Sequence, residues 1–109
     1  MVSRNSFLPL TETTFYILAA LQKPAHGYEI MQTVESLSGG DVRIAAGTMY
    51  GALENLSKQS LILAVPSNDS RRKTYQISSL GQDVLSAEIK RLKQLVVVAK
   101  NTGGLAVHV

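Results

Sequence analysis

The stretch from Gly47 to Ile62, GTMYGALENLSKQSLI, constrains the fold more than any other part of the chain. It reads as a short helix that runs straight into a β-strand. Met49, Leu53 and Leu56 fall at i, i+4 and i+7, so they share one face and predict a core-facing side. The opposite side offers Thr48, Gly51, Ala52 and Asn55, all small groups. Leu61 to Val65 is apolar and suits a buried strand. Pro66-Ser67-Asn68-Asp69-Ser70 is rich in turn formers, and Lys73 to Ser78 alternates, with Tyr75 and Ile77 pointing one way. Arg71-Arg72-Lys73 then falls at the tip of a hairpin. A helix with a small exposed face, backed by a basic hairpin, suits duplex DNA: the helix fits the major groove and the hairpin holds phosphates.

The flanking sequence supplies three more helices. The first begins at Thr11, whose hydroxyl can cap free N–H groups, with Glu12 at the positive end of the helix dipole. Phe15, Leu18 and Leu21 share a face, and Pro24 ends the helix. The second runs from His26 to Leu37 and stops at Gly39-Gly40. Its Ile30, Val34 and Leu37 line one side, and Tyr28 is expected to pack it onto the third helix. Asp41-Val42-Arg43-Ile44 reads as a stub of strand. The last helix opens near Ser79 and runs to about Asn101, where Gly103-Gly104 release it. Leu85, Ile89, Leu92, Val96 and Ala99 are spaced four, three, four and three, a heptad-like stripe. So small a body cannot bury such a seam, so it predicts pairing with a second copy.

The fold class that follows is mainly α with a small β-hairpin. Residues 1–78 form a winged helix-turn-helix domain, and residues 79–109 a C-terminal dimerisation helix and tail. Composition removes other classes. With 109 residues and 45% hydrophobic side chains, the chain can build a packed core. It has no cysteine, and its two histidines, His26 and His108, lie far apart, so neither disulfide, thiol chemistry nor a metal site is expected. No nucleophile–base pairing, phosphate-binding glycine loop or cofactor motif is present, so no catalytic residue is assigned. The densest apolar run near the C-terminus, Leu95 to Ala99, is far too short to span a bilayer, and the cytoplasm is the expected location. Net charge is +3, and it is uneven: residues 1–40 carry −1, residues 41–73 carry +2 and residues 74–109 carry +2. Positive charge thus concentrates where the reading elements lie.

Four blocks in this order resemble the PadR-like transcriptional regulators: Leu10-Thr11-Glu12 through Leu21; His26-Gly27-Tyr28-Glu29-Ile30; Gly47-Thr48-Met49-Tyr50-Gly51-Ala52-Leu53; and Arg71 through Ile77 followed by Leu80-Gly81. The resemblance covers about residues 8 to 100, and the short C-terminal helix is similar to the small subgroup of that family. It implies a homodimeric repressor whose third helix enters the major groove, whose wing touches the backbone or minor groove, and whose last helix dimerises through Leu85 to Ala99. Two departures stand out. Ser57 replaces an acidic residue. Ser60 replaces a glycine between helix and strand, so Ser60 must bear any left-handed conformation there.

On this reading Thr48, Tyr50, Gly51 and Asn55 contact DNA from the helix, and Arg71, Arg72 and Lys73 contact it from the wing. The helix has no Arg or Lys before Lys58. Affinity is therefore expected mainly from phosphates and DNA shape. The expected function is repression by a dimer on a palindromic operator. Two alternatives remain: a regulator that also holds a small aromatic effector between subunits, as the resemblance implies, and a winged-helix module that binds protein.

Overall fold

A computed structural model describes residues 4–68 and 71–102. After a 3-10 turn at Arg4–Phe7 come α1 (Glu12–Ala20), β1 (Ala25–His26), α2 (Gly27–Leu37), α3 (Ala46–Lys58), β2 (Ile62–Val65), β3 (Thr74–Ile77) and α4 (Ser79–Asn101). The expected Gly103-Gly104 release and the tail lie outside the described residues.

Each helix starts where a side chain can take its free N–H groups, except α3. Thr11 Oγ1 accepts from Thr14 N at 3.1 Å to cap α1. His26 caps α2 in a reciprocal box: Glu29 N donates to His26 Nδ1 (3.4 Å) and His26 N donates to Glu29 Oε1 (3.1 Å). Ser78 Oγ accepts from Gly81 N at 2.9 Å to cap α4. The caps orient the helices so that Ile17, Leu18, Leu21, Ile30, Val34, Met49, Leu53 and Val84 meet in one core. α1 closes at Ala20, with Leu21 N donating back to Ile17 O (3.0 Å); Pro24 therefore lies beyond a helix that has already ended.

Two expectations are corrected here. Residues 41–44 form no strand. Ser38 Oγ takes the Val42 N–H at 2.9 Å, which closes a loop after Gly39 and Gly40 (φ 62° and 87°), and Ile44 tucks into the core. The third strand is instead Ala25–His26, which pairs antiparallel with β3 (Ala25 opposite Tyr75, His26 opposite Thr74), so the sheet order is β1-β3-β2. Leu37 does not join Ile30 and Val34; it stands exposed in the last turn of α2.

One junction joins α3, β2 and α4. Ser60 carries the left-handed conformation (φ 62°), and Leu61 N closes back onto Leu56 O at 3.0 Å. Ser78 Oγ donates to Ser60 O (2.6 Å) and Ser78 N donates to Leu61 O (3.0 Å). Gly81 sits directly over that carbonyl: a Cβ there would lie 2.2 Å from Leu61 O. α4 is therefore part of the core in its first half, where Gly81, Val84, Leu85 and Glu88 are buried.

Among the described residues Glu88 is the one buried carboxylate, 2% exposed. It accepts from Leu10 N at 2.7 Å and from both Nε and Nη2 of Arg91, which ties the segment before α1 to α4. The hydrogen bond from Arg91, reinforced by that from Leu10, holds its pKa below the ordinary carboxylate value although burial opposes this.

These contacts make three predictions. Ser60→Gly should raise stability by about 1 kcal/mol by relieving the left-handed serine. Gly81→Ala should lower it by about 1–3 kcal/mol through overlap with a backbone carbonyl. Thermal and urea unfolding check both. Because the Glu88 pKa is lower folded than unfolded, its contribution is complete above the unfolded value of about 4.5 and is lost as pH falls through the folded value. Urea titrations from neutral to acid pH should show that loss in the wild type. Glu88→Gln should be less stable near pH 7 by about 1–2 kcal/mol and should lack that part of the acid dependence.

Candidate nucleic-acid interface

Burial of Met49, Leu53 and Leu56 fixes which way α3 faces. At about 100° per residue, the direction opposite that line runs through Gly47, Gly51 and Lys58. All three are exposed, as are Thr48, Tyr50, Glu54 and Asn55. Thr48 and Asn55 lie on one flank, and Asn55 lines a cleft with Phe7, Leu10 and Gln59. Tyr50, Glu54 and Ser57 lie on the other flank, beside the wing. Ala52 leaves the expected small face, since it is half-buried against the core. Gly47, Glu54 and Lys58 were not singled out from sequence; Lys58 Nζ is 3.3 Å from Glu54 Oε1. The signal for them was present in the i, i+4, i+7 core line, whose true opposite lies one residue further round.

Gly47 and Gly51 are informative because nothing in the chain requires them. A Cβ built on either meets no atom within 4 Å, and neither has a positive φ. A glycine inside a helix costs about 1 kcal/mol relative to alanine. That cost brings no intramolecular packing here. It does leave a stretch of bare backbone on the outward face. The N-cap of α3 is Ala45, whose side chain accepts no hydrogen bond. The first-turn N–H groups near Thr48 thus meet no acceptor from their own cap, an arrangement suited to an anion.

Tyr50 is 58% exposed, yet its ring is seated: a Cβ on Gly27 would lie 2.9 Å from Tyr50 Cε1. Gly27 is buried in the first turn of α2, so this contact is what joins α2 to α3 at that end. Tyr28 does not do so. It stands about 100° round from Gly27, is 60% exposed, and its hydroxyl accepts from Gln32 Nε2 at 3.3 Å.

Arg71, Arg72 and Lys73 are exposed and lead into β3. With His26, Tyr28, Tyr50 and Leu63 they border an open groove of about 1260 Å³ between the start of α2, α3 and the wing. Arg72 Nη1 lies 3.2 Å from His26 Nε2, and that same nitrogen is 3.1 Å from Glu29 Oε1. His26 is therefore part of a cap and a wing contact. Among the described residues no group of three or more His, Cys, Asp or Glu could hold a metal ion.

A second surface lies on α4. Ile89, Leu92, Leu95, Val96, Val97 and Val98 are 38–50% exposed. With Phe15 of α1, several of them form an apolar trough of about 430 Å³ with Lys93 at its side. The expected stripe divides: Leu85 is 6% exposed and belongs to the chain's own core, because the first half of α4 lies against α1 and the 3-10 turn, while Ile89, Leu92 and Val96 emerge beyond it and Ala99 is half-buried. No helix of the described residues is long and apolar enough to cross a membrane.

Comparison with known proteins agrees with the fold. Residues 17–87 match the family described as the transcriptional regulator PadR-like family. A PadR family transcription regulator from Clostridium difficile superposes with a TM-score of 0.71 at 26% identity, covering 86% of this chain and 100% of that one. A transcriptional regulator from Clostridium thermocellum shares the fold with a TM-score of 0.72 at 20% identity, covering 94% and 99%. An uncharacterised protein of Lysinibacillus sphaericus is 34% identical over 73 residues, 64% of this chain and 67% of its own length.

Proposed function

This chain belongs to the PadR-like family of transcriptional regulators, and on that footing we propose that it acts as a homodimeric repressor that occupies a palindromic operator. It is a DNA-binding regulator and not an enzyme. α3 enters the major groove of each half-site with Gly47, Thr48, Gly51 and Asn55 against the duplex and Tyr50 at its edge. Arg71, Arg72 and Lys73 meet phosphates beside it. The observation that carries this reading is the pair of outward glycines on α3, which weaken the helix and serve no contact within the chain. They suit a helix that something else must approach closely. The absence of Arg and Lys from α3 before Lys58 leaves the phosphate contacts to the wing.

Two copies join through the exposed part of α4, with Ile89, Leu92, Val96 and Ala99 forming the seam and the trough beside Phe15 receiving the second helix. Six large exposed apolar side chains on one half of a helix suit burial, since a contiguous apolar patch marks an interaction surface more than singly scattered side chains do. Dimerisation sets two α3 helices about one duplex turn, ~34–36 Å, apart. Repression then results from occlusion of the promoter.

Three measurements test the parts separately. Gly51→Leu should fold at least as stably as the wild type, by about 0.5–1 kcal/mol in its favour, and bind duplex about tenfold more weakly or worse. Retained binding in that variant removes α3 from the interface. Leu92→Glu with Val96→Glu should sediment as a monomer where the wild type sediments as a dimer, with α1–α3 still folded by circular dichroism; a monomeric wild type at micromolar concentration rejects the dimer. In-vitro transcription from the bound promoter should fall as protein is added, and an unchanged or increased yield rejects repression.

A further inference from the structure

Two exposed tyrosines, Tyr28 and Tyr50, border the groove between α2, α3 and the wing, and the chain holds them differently. The Tyr28 hydroxyl accepts from Gln32 Nε2. The Tyr50 hydroxyl has no hydrogen bond among the described residues, yet its ring has a seat. The three atoms nearest to a Cβ built on Gly27 all belong to Tyr50: Cε1 at 2.9 Å, Cζ at 3.2 Å and Oη at 3.2 Å. Gly27 is buried, has no positive φ, and follows an N-cap that His26 and Glu29 already complete. Neither backbone conformation nor capping asks for glycine there, and glycine loses more chain entropy on folding than alanine. The first atoms that a side chain at residue 27 would push aside are those of the Tyr50 ring. That ring is the outer end of a rotatable side chain, so displacing it costs the fold little but changes where the hydroxyl stands.

We infer that Gly27 is a positioning residue for DNA binding: its bare backbone seats the Tyr50 ring and so aims the phenol hydroxyl at the phosphate backbone beside the wing. Arg71, Arg72 and Lys73 border the same groove, so a strand whose phosphates meet these cations passes the Tyr50 hydroxyl. A neutral O–H donor at that place adds register and orientation to the contact without adding charge. An exposed ring without a seat samples several staggered positions and loses that freedom on binding. A ring already lying on Gly27 has given up part of it in the folded protein. The glycine therefore acts on the duplex only through Tyr50.

The inference rests on the DNA-binding reading, and the experiment separates the two. The probe is a duplex selected from a random pool by the wild-type protein, titrated from low to moderate salt. Gly27→Ala should bind it about threefold or more weakly, the worth of one hydrogen bond, with an unchanged salt slope because no cation is removed. Tyr50→Ala should also weaken binding, and Gly27→Ala should add no further loss in that background, since no ring is left to displace. Low salt keeps the residual binding measurable. With 3-fluorotyrosine incorporated, the fluorine resonance missing from Tyr50→Phe identifies Tyr50. That resonance should shift when duplex is added to the wild type, and should stand elsewhere in free Gly27→Ala. Gly27→Ala should melt within a few degrees of the wild type. Any larger loss of stability should disappear in the Tyr50→Ala background. Wild-type affinity in Gly27→Ala, additive losses in the double variant, or a folding defect that persists without the Tyr50 ring overturns the inference. Failure of the wild type to select or bind any duplex overturns the DNA-binding reading, and the role of Gly27 with it.

Discussion

The contact on which the rest of the structure depends is the approach of the Leu61 carbonyl to Gly81. Three elements share that point. α3 ends there through the left-handed Ser60, β2 begins there, and α4 starts there under the cap of Ser78, which donates to both Ser60 O and Leu61 O. Any side chain at residue 81 would force α4 off the carbonyl. The direction of α3 relative to the wing follows from this junction, because the turn between helix and strand is only three residues long. The direction of α4 follows from it too. The two outward surfaces, one on α3 and one on α4, are thus held to a single frame and not joined by a flexible linker.

Periodicity carried most of this fold. Met49, Leu53 and Leu56 give the inner face of α3, Thr11 and Ser79 mark helix starts within a residue, and the wing strands read directly from Tyr75 and Ile77. What periodicity could not supply were the pairings between elements distant in sequence. Ala25–His26 is a strand only because β3 lies alongside it, with 48 positions between His26 and its partner Thr74. Val42 and Ile44 have strand chemistry but no partner, since Ser38 captures the Val42 amide first. Leu85 looks like the first step of an intermolecular stripe and is spent on the chain's own core. Glu88 looks like one more solvated charge and is buried, because Leu10, 78 residues away, brings it a backbone donor. The same limit applies to the interface. Residue types pointed to α3 and the hairpin, but the exposed centre of α3, at Gly47, Gly51 and Lys58, depends on the direction of its buried line.

α3 also separates what stabilises the fold from what the proposed function requires. Its inner face is packed as tightly as any in the molecule. Its outer face carries two glycines and an uncapped start, features that each weaken a helix by a fraction of a kilocalorie to about one kilocalorie per mole. A helix optimised for its own stability would carry alanine at residues 47 and 51 and serine or aspartate at residue 45. The tertiary contacts of Met49, Leu53 and Leu56, together with the seat that Gly27 provides for Tyr50, hold the helix despite those weaknesses. The two kinds of glycine are therefore physically opposite: Gly27 and Gly81 are demanded by neighbours within the chain, whereas among the described residues a Cβ at Gly47 or Gly51 would meet open space.

That contrast bears on how a mildly charged protein binds a polyanion. With a net charge of +3 there is little general attraction, and α3 itself offers one lysine, already paired with Glu54. Affinity must come from a few cations placed where phosphates pass. Placement is costly for long side chains on a hairpin, because each loses freedom on binding. Anchoring the hairpin beforehand removes part of that loss. β1 supplies that anchoring at the backbone with only two residues. The two-residue strand that periodicity could not supply is, on this argument, what lets the three wing cations of so mildly charged a protein serve as a clamp.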